Sequence, residues 1–145
     1  MPTREMICRV PASPHYLTAM RHLVHAFCVD FLGTETYEDQ VYQLQLAVSE
    51  LATNIIVHAY RDREPGAVEM HGTGGDGRVT LDFWDTGAPY QMQRSPPTIP
   101  DAEMLAEGGY GTFIIQQCVD TVTYERDGER NHWRLEKKLG EQGGQ

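Results

Sequence analysis

The 145-residue chain is long enough for one domain of ordinary size with a hydrophobic core of its own. Hydrophobic residues make up 40% and charged residues 23%, which excludes a disordered chain, and no apolar run approaches the roughly 20 residues that span a bilayer. Twelve Lys and Arg against twenty-one Asp and Glu leave a formal charge of −9, which argues against a nucleic-acid-binding surface and suits a basic partner.

The N-terminal MPTREMICRVPASP has no apolar signal core, and Cys8, Cys28 and Cys118 form no CxxC pair. The reading is a reduced, cytoplasmic protein without a membrane partner. Met6 to Val10 forms a short strand closed by Pro11 and Pro14. From Pro14, Leu17, Met20, Leu23, Val24, Phe27 and Phe31 recur at helical spacing, with Ser13 as cap and Gly33 as terminator. A second helix covers about Tyr37 to Ala59, with Val41, Leu44, Val48, Leu51 and Ile55 on its core face.

The period then changes to two. Val68 and Met70 alternate with polar neighbours, as do Val79, Leu81 and Phe83, with Asp85 next in that register. Residues 86–107 hold four prolines and read as a long functional loop, closed by Gly108, Gly109 and Gly111. A third helix follows through Ile114, Ile115 and Cys118. Two strands, around Thr121–Arg126 and His132–Leu139, are joined at Asp127-Gly128, and residues 140–145 form a fraying tail. The order β-α-α-β-β-loop-α-β-β predicts an α+β chain, 1–145 as one domain. It is a two-layer α/β sandwich with a mixed, mostly antiparallel sheet and helices on one face.

Some patterns mislead. Gly72, Gly74 and Gly77 spell GxGxxG, but a strand follows where a dinucleotide site needs a helix, so tight turning is the better reading. His22, His25 and Cys28 drift round a helix without a fourth ligand, so packing or surface roles outweigh a zinc site. The only lysines are Lys137 and Lys138, near the C-terminus, which excludes a Walker A loop and the lysine of a eukaryotic-type kinase.

Three segments carry chemistry. Glu50 and Asn54, four apart on one helix, project side by side at the border of the core stripe. A carboxylate beside an amide oxygen can hold hydrated Mg²⁺ and orient a hydroxyl, or be an ordinary surface pair. Asp85 sits on a core face at a strand end and needs a partner, either a ligand amine such as that of adenine or a backbone cap. Gly87 lets the chain approach a flat base. Gly108-Gly109-Tyr110-Gly111-Thr112 before a helix frees N–H groups for an anion, or forms a hinge.

Together, in this order, the segments resemble the motifs of the Bergerat-fold (GHKL) ATPases, most of all the bacterial serine kinases that act as anti-sigma factors. AVSELATNIIVHAY (47–60) resembles their N box, DTGAPY (85–90) their first glycine box and EGGYGTFIIQQCVD (107–120) their second. The likeness covers nearly the whole chain. It implies the Bergerat ATP-binding fold, with ATP and Mg²⁺ as cofactors. Glu50 would be the general base, Asn54 the magnesium ligand and Asp85 the acceptor of the adenine amino proton, with Gly87 against the base. Gly109, Gly111 and Thr112 would lie at the phosphates, and residues 88–107 would form a lid from which Arg94 could reach them. Implied partners are a sigma factor and a small anti-sigma factor antagonist bearing a serine, and the implied assembly is a homodimer. Tyr110 stands where relatives often carry arginine, and Thr112 where they carry an aliphatic residue.

Two other functions remain open on the sequence. Tyr110 and Thr112 suit a nucleotide-dependent binding module with weak or no kinase activity. The catalytic half of a histidine kinase fits less well. His22, His25 and His58 are followed by Leu23, Ala26 and Ala59 rather than an acidic residue, and the chain opens on its first strand with no room for a phosphoacceptor hairpin.

Overall fold

A computed structural model describes residues 3–90 and 110–140. Strands β1 (Arg4–Pro11), β2 (Ala67–Gly75), β3 (Arg78–Asp85), β4 (Thr121–Asp127) and β5 (Arg130–Lys138) form one open sheet in the order β1-β2-β3-β5-β4. Helices α1 (Leu17–Leu32), α2 (Glu38–Thr53) and α3 (Tyr110–Cys118) complete the described elements, with α2 packed against both of the others. The α+β sandwich stands. The expected mixed sheet is corrected: every described pairing is antiparallel. The chain order explains this. Two helices, not one, separate β1 from β2, so the chain returns to the end it left, and hairpins join β2 to β3 and β4 to β5. β3 and β4 each pair antiparallel with β5 and so run parallel to one another, with β5 between them.

The first helix begins as expected. The Ser13 hydroxyl accepts from the His15 N–H at 3.3 Å, Pro14–Tyr16 form a 3₁₀ turn, and Gly33 ends α1 at φ 70°. The second helix departs from the expected regular run to Ala59. After Thr53 it widens into a π-helical turn, Asn54–Ala59, in which the Tyr60 N–H reaches the Ile55 carbonyl. A π turn re-aims the residues that follow it. Here the Tyr60 hydroxyl donates to Ala67 O at 2.9 Å and accepts from Thr86 N at 3.0 Å, tying the end of this helix to β2 and to the loop after β3.

One face of the sheet and the helices enclose the core. Val68, Met70, Val79, Leu81, Phe83 and Leu135 meet Met20, Val24, Leu44, Val48, Leu51, Ile55 and Ile115, all at most 2% exposed. The period-two reading therefore holds strand by strand. His22 and His25 are exposed while Cys28 is buried, so the three share no face. Gly140, expected in the fraying tail, is held from both sides by Gln40, whose Nε2 donates to its carbonyl and whose Oε1 accepts from its N–H. Residues 141–145 lie outside the described residues.

The GxGxxG stretch is explained by packing. A Cβ on Gly74 would lie 2.6 Å from the Phe31 ring, one on Gly72 would lie 2.9 Å from Met6, and Gly77 turns the hairpin at φ +73°. Gly74→Val should therefore destabilise the fold by about 1–3 kcal/mol through overpacking. Gly75→Ala, whose Cβ would meet only Thr3 at 3.5 Å, should stay within about 0.5 kcal/mol. Equilibrium urea unfolding of both variants measures the contrast.

Candidate active site

The four-residue spacing on α2 brings Glu50 and Asn54 to one place, and α3 starts beside them. A Cβ on Gly111 would lie 2.9 Å from Glu50 Oε2 and 3.5 Å from Asn54 Oδ1. Glycine therefore lets the first turn of α3, the positive end of that helix, sit against the carboxylate and amide. Among the described residues, no hydrogen bond engages the Glu50 carboxylate or the Asn54 amide, and both side chains are half-buried. Thr112 is in the same turn, with its hydroxyl 3.1 Å from the Tyr90 hydroxyl. Gly108, Gly109, Arg94 and residues 91–107 of the expected lid lie outside the described residues, as does the side chain of Tyr110.

At the other end of the cleft, Asp85 closes β3 on its inward face and is 3% exposed. Its Oδ1 accepts from Gly87 N and from Asn131 Nδ2, both at 2.8 Å. Its Oδ2 is buried with no partner. Burial pushes the carboxyl above the ordinary range, against opposing pulls from the Asn131 amide, the Gly87 N–H and the Arg126 guanidinium. Asp82, three residues earlier on the opposite face, is the contrast. It is buried too, but it meets His132 Nε2 at 2.7 Å and Arg134 Nε at 2.8 Å, which raises the Arg134 pKa. A native fold rarely leaves a buried carboxylate oxygen unpaired, and the one at Asp85 points to a donor from outside the chain.

Gly87 makes a close approach, and it is to protein. A Cβ there would lie 2.6 Å from Ala59 O, and the next N–H, that of Ala88, donates to that same carbonyl at 2.7 Å. The loop after Asp85 is thus pressed against the π turn that ends the second helix. The sequence had suggested a close approach to a base.

Sequence reasoning missed Asn131. It is 1% exposed and faces Asp85 across the β3–β5 pair. Its Nδ2 also donates to Ala88 O at 2.9 Å and Gly87 O at 3.3 Å, and its Oδ1 accepts from the Tyr124 hydroxyl and from Arg126 Nη1. The same Arg126 atom donates to Gly87 O at 2.8 Å, and the Tyr124 hydroxyl accepts from Tyr90 N at 2.8 Å. The available signal was a polar residue in the inward register of Trp133 and Leu135, the same signal that exposed Asp85. Lys137, next in that register after Leu135, is also buried. It donates to Gln43 Oε1 at 2.9 Å and to Cys118 O at 2.8 Å, at the end of α3. All three thiols are free and shifted upward by burial, Cys28 to about 12, so none is a nucleophile at neutral pH.

The residues present fit a nucleotide. An unpaired carboxylate oxygen waits at one end, and at the other a glycine-started helix faces a carboxylate and a hard amide oxygen suited to Mg²⁺. Comparison with known proteins agrees. The sequence profile of the histidine kinase-like ATPase domain matches residues 10–137. Among curated relatives, the serine-protein kinase RsbW of Oceanobacillus iheyensis is 32% identical over 120 residues, 79% of this chain and 74% of that protein. RsbW of Bacillus subtilis is 29% identical over 120 residues, 79% and 73% of the two chains. The anti-sigma F factor of Clostridium botulinum is 29% identical over 107 residues, 70% and 73%.

The raised Asp85 carboxyl has a consequence for stability. Below the ordinary carboxylate value both folded and unfolded chains hold the proton. As the pH rises from there through the raised folded value, the unfolded chain has already ionised, so the ligand-free protein loses stability over that window. Asp85→Asn removes this loss. The variant should melt at or above the wild-type temperature at about pH 8, and its advantage should shrink as the pH falls into the carboxylate range. Melting curves across pH, without nucleotide, give the comparison.

Proposed function

The chain belongs to the family of histidine kinase-like ATPase domains, and from that premise we propose that it is an ATP-dependent protein serine kinase. It phosphorylates a serine on a small anti-sigma factor antagonist and sequesters a sigma factor, and so regulates transcription. The kinship with RsbW and anti-sigma F factor supports this over most of the chain. The observation that carries it is the meeting of the Glu50 carboxylate, the Asn54 amide and the first turn of α3 at Gly111.

Phosphoryl transfer asks a protein mainly for position, neutralised charge and a base. Glu50 takes the proton of the substrate serine as that oxygen bonds the γ-phosphorus and the bond to the bridging oxygen of ADP breaks. Asn54 offers its amide oxygen to Mg²⁺. Asp85 accepts from the adenine amine and Gly87 shapes the loop beneath the base. Gly109, Gly111 and Thr112 belong to the phosphate end, where backbone N–H groups serve in place of a lysine. Bound ATP with its divalent cation supplies the phosphoryl group and part of the charge neutralisation. A phosphate added to the antagonist would break its docking by charge and desolvation, leaving the kinase free to hold its sigma factor. The working protein on this reading is a cytoplasmic homodimer that contacts neither nucleic acid nor membrane.

Glu50→Gln should lower transfer from labelled ATP to an antagonist domain by roughly 10²–10⁴-fold while ATP still binds. Asn54→Ala should remove the Mg²⁺ dependence of ATP binding measured by calorimetry. Firm ATP binding with no transfer to any antagonist tested would count against a kinase and favour a nucleotide-dependent binding module.

A further inference from the structure

Two oxygens of one carboxylate have different fates at the end of β3. Oδ1 of Asp85 takes two donors and Oδ2 takes none. Gly87 N supplies one of the donors and would do so in any loop of this shape. Asn131 supplies the other, from the neighbouring strand, and that side chain is itself held in one orientation. Its Nδ2 faces three acceptors: Asp85 Oδ1, Ala88 O and Gly87 O. Its Oδ1 faces two donors, the Tyr124 hydroxyl and Arg126 Nη1. A reversed amide would set its oxygen against a carboxylate and two carbonyls, and its NH₂ against a guanidinium. Only the Tyr124 hydroxyl, which can also accept, would tolerate the reversal; the other four contacts would turn repulsive or be lost, so the network itself fixes which end is which.

We infer that Asn131 is a positioning residue that dedicates Asp85 to a single donor on the bound base, and thereby sets a preference for a 6-amino purine over a 6-oxo or unsubstituted one. The inference rests on the nucleotide reading above and adds to it the residue that makes Asp85 selective. With Oδ1 saturated and held by Asn131 and Gly87, only Oδ2 is presented, and in the ionised carboxylate it can only accept. An exocyclic amine satisfies it. A 6-oxo group brings a second acceptor against a buried acceptor, and a bare C6–H leaves it unpaired. Freed from Asn131, the carboxylate can rotate or draw in water, and the base at position 6 ceases to matter. Asn131 lies behind Asp85 and bonds only to protein, so its effect reaches the base through the carboxylate.

The same amide reaches the far end of the site. The Tyr124 hydroxyl that orients Asn131 also holds Tyr90 N, and the Tyr90 hydroxyl meets Thr112 in the first turn of α3. Tyr90, Tyr124 and Trp133 pack as a cluster with ring centroids 4.7–5.6 Å apart, so this path runs through a rigid part of the core.

The test is competition binding of ATP, purine riboside triphosphate (which lacks the 6-amino group) and ITP to the full chain. The wild type should favour ATP over both by roughly tenfold or more, the range for a hydrogen bond to a charged acceptor. Asn131→Ala should shrink that gap to within about threefold, with affinity for purine riboside triphosphate nearly unchanged. Asn131→Asp keeps the shape but sets an acceptor against Asp85 Oδ1, and should shrink the gap as well. Tyr124→Phe removes the hydroxyl that orients Asn131 and, with it, the acceptor of Tyr90 N, and serves if neither Asn131 variant folds; it should narrow the gap by a smaller factor. A folded Asn131 variant that retains the wild-type gap overturns the inference and leaves the nucleotide reading intact. So does an unchanged gap in Tyr124→Phe where that variant stands alone. A wild type that binds all three alike overturns the inference alone, and one that binds no ATP overturns both.

Discussion

A carboxylate on the inward face of a sheet must be partnered, and the need to partner Asp85 organises one end of this molecule. The strand register gives it no choice. Val79, Leu81 and Phe83 face the core, and the pleat turns Asp85 to the same side. The chain gives it donors from β5 and from its own loop, and still leaves one oxygen unpaired. The arrangement costs stability in the ligand-free protein, because a half-satisfied buried carboxylate is worse than a fully paired one. Asp82 shows that the sheet can do otherwise. On the opposite face, the same residue type is fully engaged by His132 and Arg134. A deficit at Asp85 beside completeness at Asp82 is the signature of a ligand site.

The geometry of the cleft follows from close backbone approaches rather than from large side chains. Gly87 lets the loop press on Ala59, and Gly111 lets α3 press on Glu50. In each case a Cβ would displace something, a carbonyl at the first and the proposed base at the second. The π turn connects the two. It widens the second helix just after Asn54, leaves the Ala59 carbonyl pointing at Ala88 N, and sends Tyr60 across to Ala67 and Thr86. Regular α-helix through Ala59 would aim that carbonyl along the helix axis instead, so an irregularity in α2 positions a loop that belongs to β3.

Much of this was legible in the sequence, for reasons that also explain what was not. Period-two burial, the Ser13 cap, the Gly33 stop and the pairing of Glu50 with Asn54 are local, and local patterns survive folding. Asp85 could be read because it breaks an apolar register. Asn131 breaks the register of β5 in the same way, but the strand expected from the sequence begins at His132 and leaves Asn131 in the turn before it. The π turn has no sequence signal of its own, since it depends on what Tyr60 and Ala88 find across the cleft. The antiparallel sheet could have been deduced from the helix count between strands. The GxGxxG stretch was rightly set aside, and its cause is tertiary: Phe31 and Met6 occupy the space that side chains at Gly74 and Gly72 would fill.

Lys137, one of the two lysines in the chain, ties two of the helices together. The ammonium is buried behind α3, where it binds the Cys118 carbonyl at the negative end of that helix and Gln43 on α2. It therefore fixes the far end of α3 to the helix that bears Glu50. The charges of Glu50 and Lys137 are both felt at Cys118, in opposite senses, so the thiol marks the interior between them. A helix held at its C-terminus by a buried cation has its N-terminal turn, the positive end of its dipole, beside the Glu50–Asn54 pair. The one buried ammonium among the described residues therefore stands at the C-terminal end of α3, opposite Gly111, where its charge opposes the negative end of the helix dipole.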